Sequence, residues 1–181
     1  MEFYHRDDNN KIRQCVKWLV DIIAVIALAW FLVYAYGTQI PVAGRSMSPF
    51  LEPGDVVLMD RLAYDFGRPD RYDVVVFRRE DGRLNIKRVV GLPGETVQIT
   101  GGQVLINDIP LSAYEKIGKV SLPGIAENPI RLGEGEYFLL GDNSGSSEDS
   151  RFVNVGNVSL GQIEGKVWSR LLPVSRLELI D

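Results

Sequence analysis

Histidine and cysteine are nearly absent from this chain of 181 residues, with His5 and Cys15 the only examples. One cysteine excludes an intrachain disulfide, and one histidine leaves Ser-His catalysis and His-rich metal sites with almost nothing to work with. Basic excess is missing as well. Lys+Arg number 20 against 24 Asp+Glu, a net charge of -4, and no run of five basic residues occurs, so phosphate-driven nucleic-acid binding is excluded as the organising function. The 45% hydrophobic and 24% charged content is that of a globular chain, with no disordered or collagen-like bias and no internal repeat. The length suits one ordinary domain plus a small appendage.

What the chain does have is one long apolar stretch. From Val16 to Tyr36 the only charges are Lys17 and Asp21, both near one end. A helix of that length reaches roughly 30 Å, the thickness of a bilayer core. Arg6, Lys11, Arg13 and Lys17 precede the apolar core, and the next basic residue after it is Arg45. The positive-inside rule therefore puts residues 1–15 in the cytoplasm, 16–36 across the membrane and 37–181 outside. Trp18, Trp30, Tyr34 and Tyr36 stand near the ends, where amphipathic rings favour the interface. Asp21 marks the cytoplasmic edge, where its charge costs least. Two rivals are a cleaved secretory signal, for which Ala35-Tyr36-Gly37 is a passable end, and a helix buried in a soluble core. The all-round apolar character favours the anchor.

Beyond Gly37 the pattern changes to short apolar runs between turn residues. Asp55 to Met59, Tyr72 to Phe77, Leu84 to Val90, Thr96 to Ile99, Gln103 to Ile106, Tyr137 to Leu140 and Ile163 to Trp168 read as strands, rich in Val, Ile and aromatics. Gly101-Gly102 and Asn107-Asp108 supply tight turns, which makes residues 96–106 a hairpin. The expectation is a mostly β domain, a barrel or sandwich of about 145 residues. The stretch from Leu111 to Gly135 is the least regular.

Three polar stretches stand where function tends to sit. Gly44-Arg45-Ser46-Met47-Ser48-Pro49 places a serine between a flexible and a rigid residue, which a simple turn would also do. In the strand from Leu84, Lys87 shares a face with Asn85 and Val89, opposite Leu84, Ile86 and Arg88; a strand lysine is ordinarily a solvated edge residue. The third stretch, from Gly141 through Asp142, Asn143, Ser147, Glu148 and Asp149 to Arg151, has no apolar side chain. Calcium binding is its rival reading, although the carboxylates do not follow the regular calcium-loop spacing. Together the stretches offer a mechanism. A hydrolase without histidine or metal can use a lysine amine as base if burial lowers its pKa toward neutrality. Ser46 with Lys87 would then work as a Ser-Lys variant of triad logic.

These residues carry a resemblance to bacterial type I signal peptidases, membrane-bound serine proteases that remove signal peptides from exported proteins. It extends over nearly the whole chain, through Ser46-Met47-x-Pro49, Gly54-Asp55, Tyr72 to Phe77, Lys87 to Glu95, Gly141-Asp142-Asn143 and Ser147-x-Asp149-Ser150-Arg151. The resemblance implies a mostly β, coiled-sheet catalytic domain with a short insertion at roughly 100–135. It implies Ser46 as nucleophile, Lys87 as general base, Ser147 hydrogen-bonded to the lysine amine, and an Asp149–Arg151 salt bridge, with Asp142 and Asn143 as further support. No metal or cofactor is implied. The partners would be preprotein signal peptides and the lipid bilayer.

Departures bear on the site. Some members carry a serine two residues before the nucleophile that helps hold the oxyanion; Gly44 stands there, leaving backbone N–H groups, chiefly that of Ser46. Phe50 replaces a usual threonine, and Ser144-Gly145-Ser146 replaces a charged tripeptide, so the support around Lys87 is expected to be looser. Met47, Phe50 and Leu51 are expected to supply substrate pockets for an extended peptide bound as an added strand, and a surface resting on lipid. Two other classes stay open: a self-cleaving Ser-Lys regulator, which would need a DNA-binding domain in place of the apolar helix, and a tethered β domain without catalysis.

Overall fold

The computed structural model describes residues 5–111 and 119–180, and part of the irregular stretch expected from Leu111 lies outside them. One α-helix, α1 (His5–Tyr36), leads the chain. It begins well before the apolar core because no proline or glycine interrupts the polar residues ahead of Val16. Residues Asn10–Tyr36 have a mean hydropathy of 2.3 in their most apolar window, and Trp18, Val25, Trp30 and Val33 are all more than half exposed. These side chains are not covered by the other described residues, which removes the buried-core reading of the helix.

Two antiparallel sheets follow. The first four strands, β1 (Thr38–Pro41), β2 (Val56–Asp60), β3 (Val74–Arg78) and β4 (Leu84–Gly91), begin the larger sheet. The next four, β5 (Thr96–Thr100), β6 (Gln103–Ile106), β7 (Ile109–Pro110) and β8 (Ile130–Arg131), form a separate small sheet in the order β7-β6-β5-β8. The chain then returns to the larger sheet with β9 (Glu136–Leu140), β10 (Val158–Ser159), β11 (Ile163–Leu172) and β12 (Glu178–Leu179). Its order is β1-β2-β11-β3-β4-β9-β10, with β12 beside β11.

Each strand expected from period-2 patterning is present, with ends moved by one or two residues, apart from β11, which runs on to Leu172. The Thr96–Ile106 hairpin turns at Gly101 and Gly102, both at positive φ. The small sheet runs from Thr96 to Arg131. Its Val97, Ile99, Val104 and Ile106 pack on Val90, Phe138 and Leu140, joining the two sheets. A second cluster places Met47 and Leu51 against Val57, Met59, Val74, Val76 and Val167, so the chain between β1 and β2 is pinned to the sheet by its own apolar residues. The helix end is tied down too. Arg61 N–H donates to Ala35 O at 2.9 Å and Trp168 Nε1 to Tyr36 O at 3.0 Å.

Candidate active site

Ser46 sits in the turn between β1 and β2. Burial of Met47 and Leu51, and a bond from Leu51 N–H to Met47 O at 2.8 Å, hold that turn in place. Lys87 lies in the middle of β4, where Val75 is its cross-strand partner. The two meet. Lys87 Nζ is 2.9 Å from Ser46 Oγ and also donates to Ile86 O at 3.1 Å. Lys87 is only 2% exposed, and burial pulls its pKa down to about 8; Asp149 opposes that shift and Arg79 reinforces it. A buried amine near neutrality within reach of a hydroxyl is the arrangement that general-base activation of serine needs.

The loop from Gly141 to Arg151 closes over this pair. Asn143 N–H donates to Ser46 O at 3.0 Å. Asp149 and Arg151, both 0% exposed at the side chain, pair through Nε–Oδ1 at 2.7 Å and Nη2–Oδ2 at 2.9 Å. Asp149 Oδ2 also accepts Gly141 N–H at 3.1 Å. Arg151 reaches the carbonyls of Leu122, Ser144 and Ser147 at 2.9, 2.8 and 3.2 Å. One guanidinium thus gathers the loop from three sides, and the Ser144-Gly145-Ser146 substitution leaves it tied by main-chain acceptors. The loop's carboxylates are each engaged by arginine: Asp142 by Arg88, Glu148 by Arg79 and Asp149 by Arg151. That argues against the calcium reading, since a metal would compete with three formed ion pairs.

Gly141 is required by the close approach of Ser46. A Cβ there would stand 2.2 Å from Ser147 Oγ and 2.4 Å from Ser46 O. Gly141→Ala is therefore expected to push the Ser46 turn away from β9 and to lower kcat by on the order of 10²-fold with the protein still folded. Cleavage assays and a thermal melt on the same sample check it, and an unimpaired variant would mean that the turn yields freely.

A cleft of about 160 Å³ opens beside the pair, lined by residues 40–44, Ser46, Met47 and residues 84–87. It is about half the size of the smallest ordinary ligand pockets, near 300 Å³, so it suits small side chains. Its floor includes open backbone. β9 pairs with β4 only from Arg88 onward, and Val89 exchanges its bonds with Asp73 O and Tyr72 N–H on the β3 side. By alternation Leu84 and Ile86 turn their amides and carbonyls toward the cleft.

The model of the family described as signal peptidase, peptidase S26, matches residues 15–172. The chain belongs to that family. It is accordingly a peptidase, and so a hydrolase. A signal peptidase I of Leptolyngbya laminosa is 38% identical over 167 residues, covering 87% of this chain and 79% of that protein. One from Bacillus caldolyticus is 34% identical, with 86% and 88% covered. A solved signal peptidase I of Enterococcus faecalis is 31% identical and covers 55% of this chain and 97% of that one, with a TM-score of 0.44.

Set against what the family resemblance implies, most of the expected residues converge. Ser46, Lys87, Asp142, Asn143, Asp149 and Arg151 lie in one connected network, and Gly44 lines the cleft beside Ser46. Two expectations need correction. Ser147 Oγ is buried but makes no hydrogen bond among the described residues; the lysine amine is held by Ser46 and Ile86 O instead. Phe50 and Leu51 do not line the cleft. Leu51 is fully buried, and Phe50 lies under two guanidinium groups, Arg88 at 4.8 Å and Arg170 at 5.8 Å from its ring centre. Met47 alone of the three faces the cleft. The sequence reading also missed the buried Arg88–Asp142 pair, with Nε–Oδ1 at 2.8 Å and Nη2–Oδ2 at 2.6 Å. Its one available signal was an arginine beside Lys87 on the face turned toward the core.

Proposed function

We propose that this chain is a membrane-anchored serine endopeptidase that removes N-terminal signal peptides from exported preproteins, with Ser46 as nucleophile and Lys87 as general base. The observation that carries the reading is the 2.9 Å contact between Ser46 Oγ and a lysine amine shut away from water. The neutral amine takes the hydroxyl proton as Oγ attacks the scissile carbonyl carbon. The resulting ammonium returns that proton to the leaving amine as the acyl-enzyme forms. Water, deprotonated by the same lysine, then releases the acyl group. Ser46 and Gly44 N–H groups are assigned to the oxyanion.

The extended substrate lies along the free edge of Leu84 and Ile86. Main-chain hydrogen bonds hold it, and the small cleft admits only small side chains beside the scissile bond. The Val16–Tyr36 part of α1 spans the bilayer, with residues 1–15 in the cytoplasm and the β domain outside. A signal peptide is itself a membrane segment, so a tethered enzyme meets it in two dimensions at raised effective concentration.

The test is preprotein cleavage by the full chain in proteoliposomes as a function of pH. Protonation of Lys87 removes the base, so kcat/KM is expected to fall tenfold per unit below an acidic limb near pH 8, the value set by burial. A rate that stays flat from about pH 6 to 9 would remove Lys87 as base.

A further inference from the structure

The charges around Lys87 fall into two ion pairs, Asp149–Arg151 and Glu148–Arg79. From the loop, Asp149 and Arg151 face the amine; from the β3–β4 hairpin comes Arg79, paired with Glu148 of the same loop at 2.5 Å. Among the described residues these four are the charged groups that act on it, beside the Ser46 hydroxyl and Ile86 O that it contacts. Arg79 is placed by register. Val75 pairs with Lys87 and Phe77 with Asn85, so alternation puts Arg79, two residues on, over the same face as Lys87. Its N–H donates to Arg83 O at 2.9 Å, which closes the hairpin and fixes where the side chain leaves the backbone.

The Arg79 side chain is 8% exposed, and its Nε, buried without a hydrogen bond among the described residues, lies 3.8 Å from Asp81 Oδ2. Glu148, half exposed, is held from its other side by Asn154 Nδ2. The hydrogen bond from Arg79 keeps its carboxyl below the usual carboxylate range. The two pairs oppose one another at the amine. In the first the carboxylate outweighs the guanidinium, favouring an ammonium; in the second the guanidinium outweighs the carboxylate, favouring the neutral amine.

Resting on the assignment of Ser46 and Lys87 as the working pair, we propose that Arg79 is a positioning residue. It offsets Asp149 by charge, and through Glu148 it ties the loop bearing Ser147 to the β3–β4 hairpin. Asp149 is needed to hold Arg151 and Gly141, yet its charge stabilises the wrong protonation state of the base. A second buried cation on the lysine's face relieves that conflict without breaking the first pair.

The full chain in proteoliposomes tests this through the acidic limb of kcat/KM. Arg79→Gln is expected to move the limb upward, read as a loss of about threefold at pH 7 relative to the variant's own alkaline plateau. Glu148→Gln is expected to move it the other way, a gain of up to about threefold at pH 7, and high salt to shrink that shift because the carboxylate is half exposed. Arg79→Lys, which keeps the charge, is expected to leave the limb near its original position. An unmoved limb in Arg79→Gln, or movement in the same direction for both neutral variants, overturns the proposal. Failure of the underlying catalytic assignment looks different: the wild type then has no limb and Lys87→Ala still cleaves.

Discussion

Ser46→Ala is expected to lower preprotein cleavage by at least about 10⁴-fold, and Lys87→Met to do the same while making the protein more stable. The serine change removes one hydroxyl whose partner is the lysine amine, so the melting temperature should hardly move. The lysine change removes a charge that folding disfavours. Its pKa falls from 10.5 in the reference state to about 8 in the folded one, so below about pH 8 the folded state carries the whole cost of a buried ammonium, about 3 kcal/mol. Between pH 8 and 10.5 the unfolded chain binds more protons than the folded one, and wild-type stability rises with pH. Above that window the cost is gone. Lys87→Met is thus expected to gain about 1 to 3 kcal/mol at neutral pH and to lose that advantage as the pH approaches 10.5. Turnover within about a hundredfold of wild type in either variant would end the Ser-Lys assignment. A methionine variant destabilised equally at every pH would end the account of why the base is neutral.

That opposition between stability and function bears on how much of the site could be read from residues alone. Strand patterning was legible because β2, β3, β4 and β9 alternate or run apolar over enough residues to show a period. β7, β8, β10 and β12 have two residues each, too few for any period, and they exist because a neighbouring strand offers bonds. The serine and the lysine stand 41 positions apart, and nothing local in either stretch points to the other; the lack of histidine made them a chemical pair and the resemblance to a family supported it before the sheet brought them together. Phe50 shows the opposite failure. Proximity in sequence to Ser46 suggested a pocket wall, but the turn closed by Ser48 N–H and Arg45 O reverses the chain and sends the ring under Arg88 and Arg170. Ser147 was expected to touch the amine, and the loop does bring it into the buried shell, but the carbonyl of Ile86 takes the amine's second hydrogen bond. A side-chain hydroxyl can be anticipated from a motif, whereas a backbone acceptor leaves no mark on one.

The largest stability effect is expected from Asp142→Ala. Asp142 and Arg88 are both fully buried at the side chain and joined by two hydrogen bonds, while Arg88 Nη1 reaches Tyr72 O at 2.9 Å. Truncating the carboxylate leaves a guanidinium with no counter-charge in a dry site, a loss of about 3 to 5 kcal/mol. Replacing both partners tests whether the pair contributes net stability or only direction. Arg88→Met with Asp142→Leu removes the stranded charge and fills similar volume, so stability is expected to return to within about 1 kcal/mol of wild type. Cleavage should not return with it. Asp142 directly precedes Asn143, whose N–H holds Ser46 O, and apolar side chains pack without fixing the angle at which the loop meets Ser46. The double variant is therefore expected to stay down by at least about tenfold in kcat. Denaturant melts and cleavage rates on the two single variants and the double variant complete the cycle. A single Asp142→Ala variant that loses less than about 1 kcal/mol would show water reaching Arg88 and the pair's burial costing little. Full cleavage by the double variant would show that the loop is oriented by Asp149 and Arg151 alone.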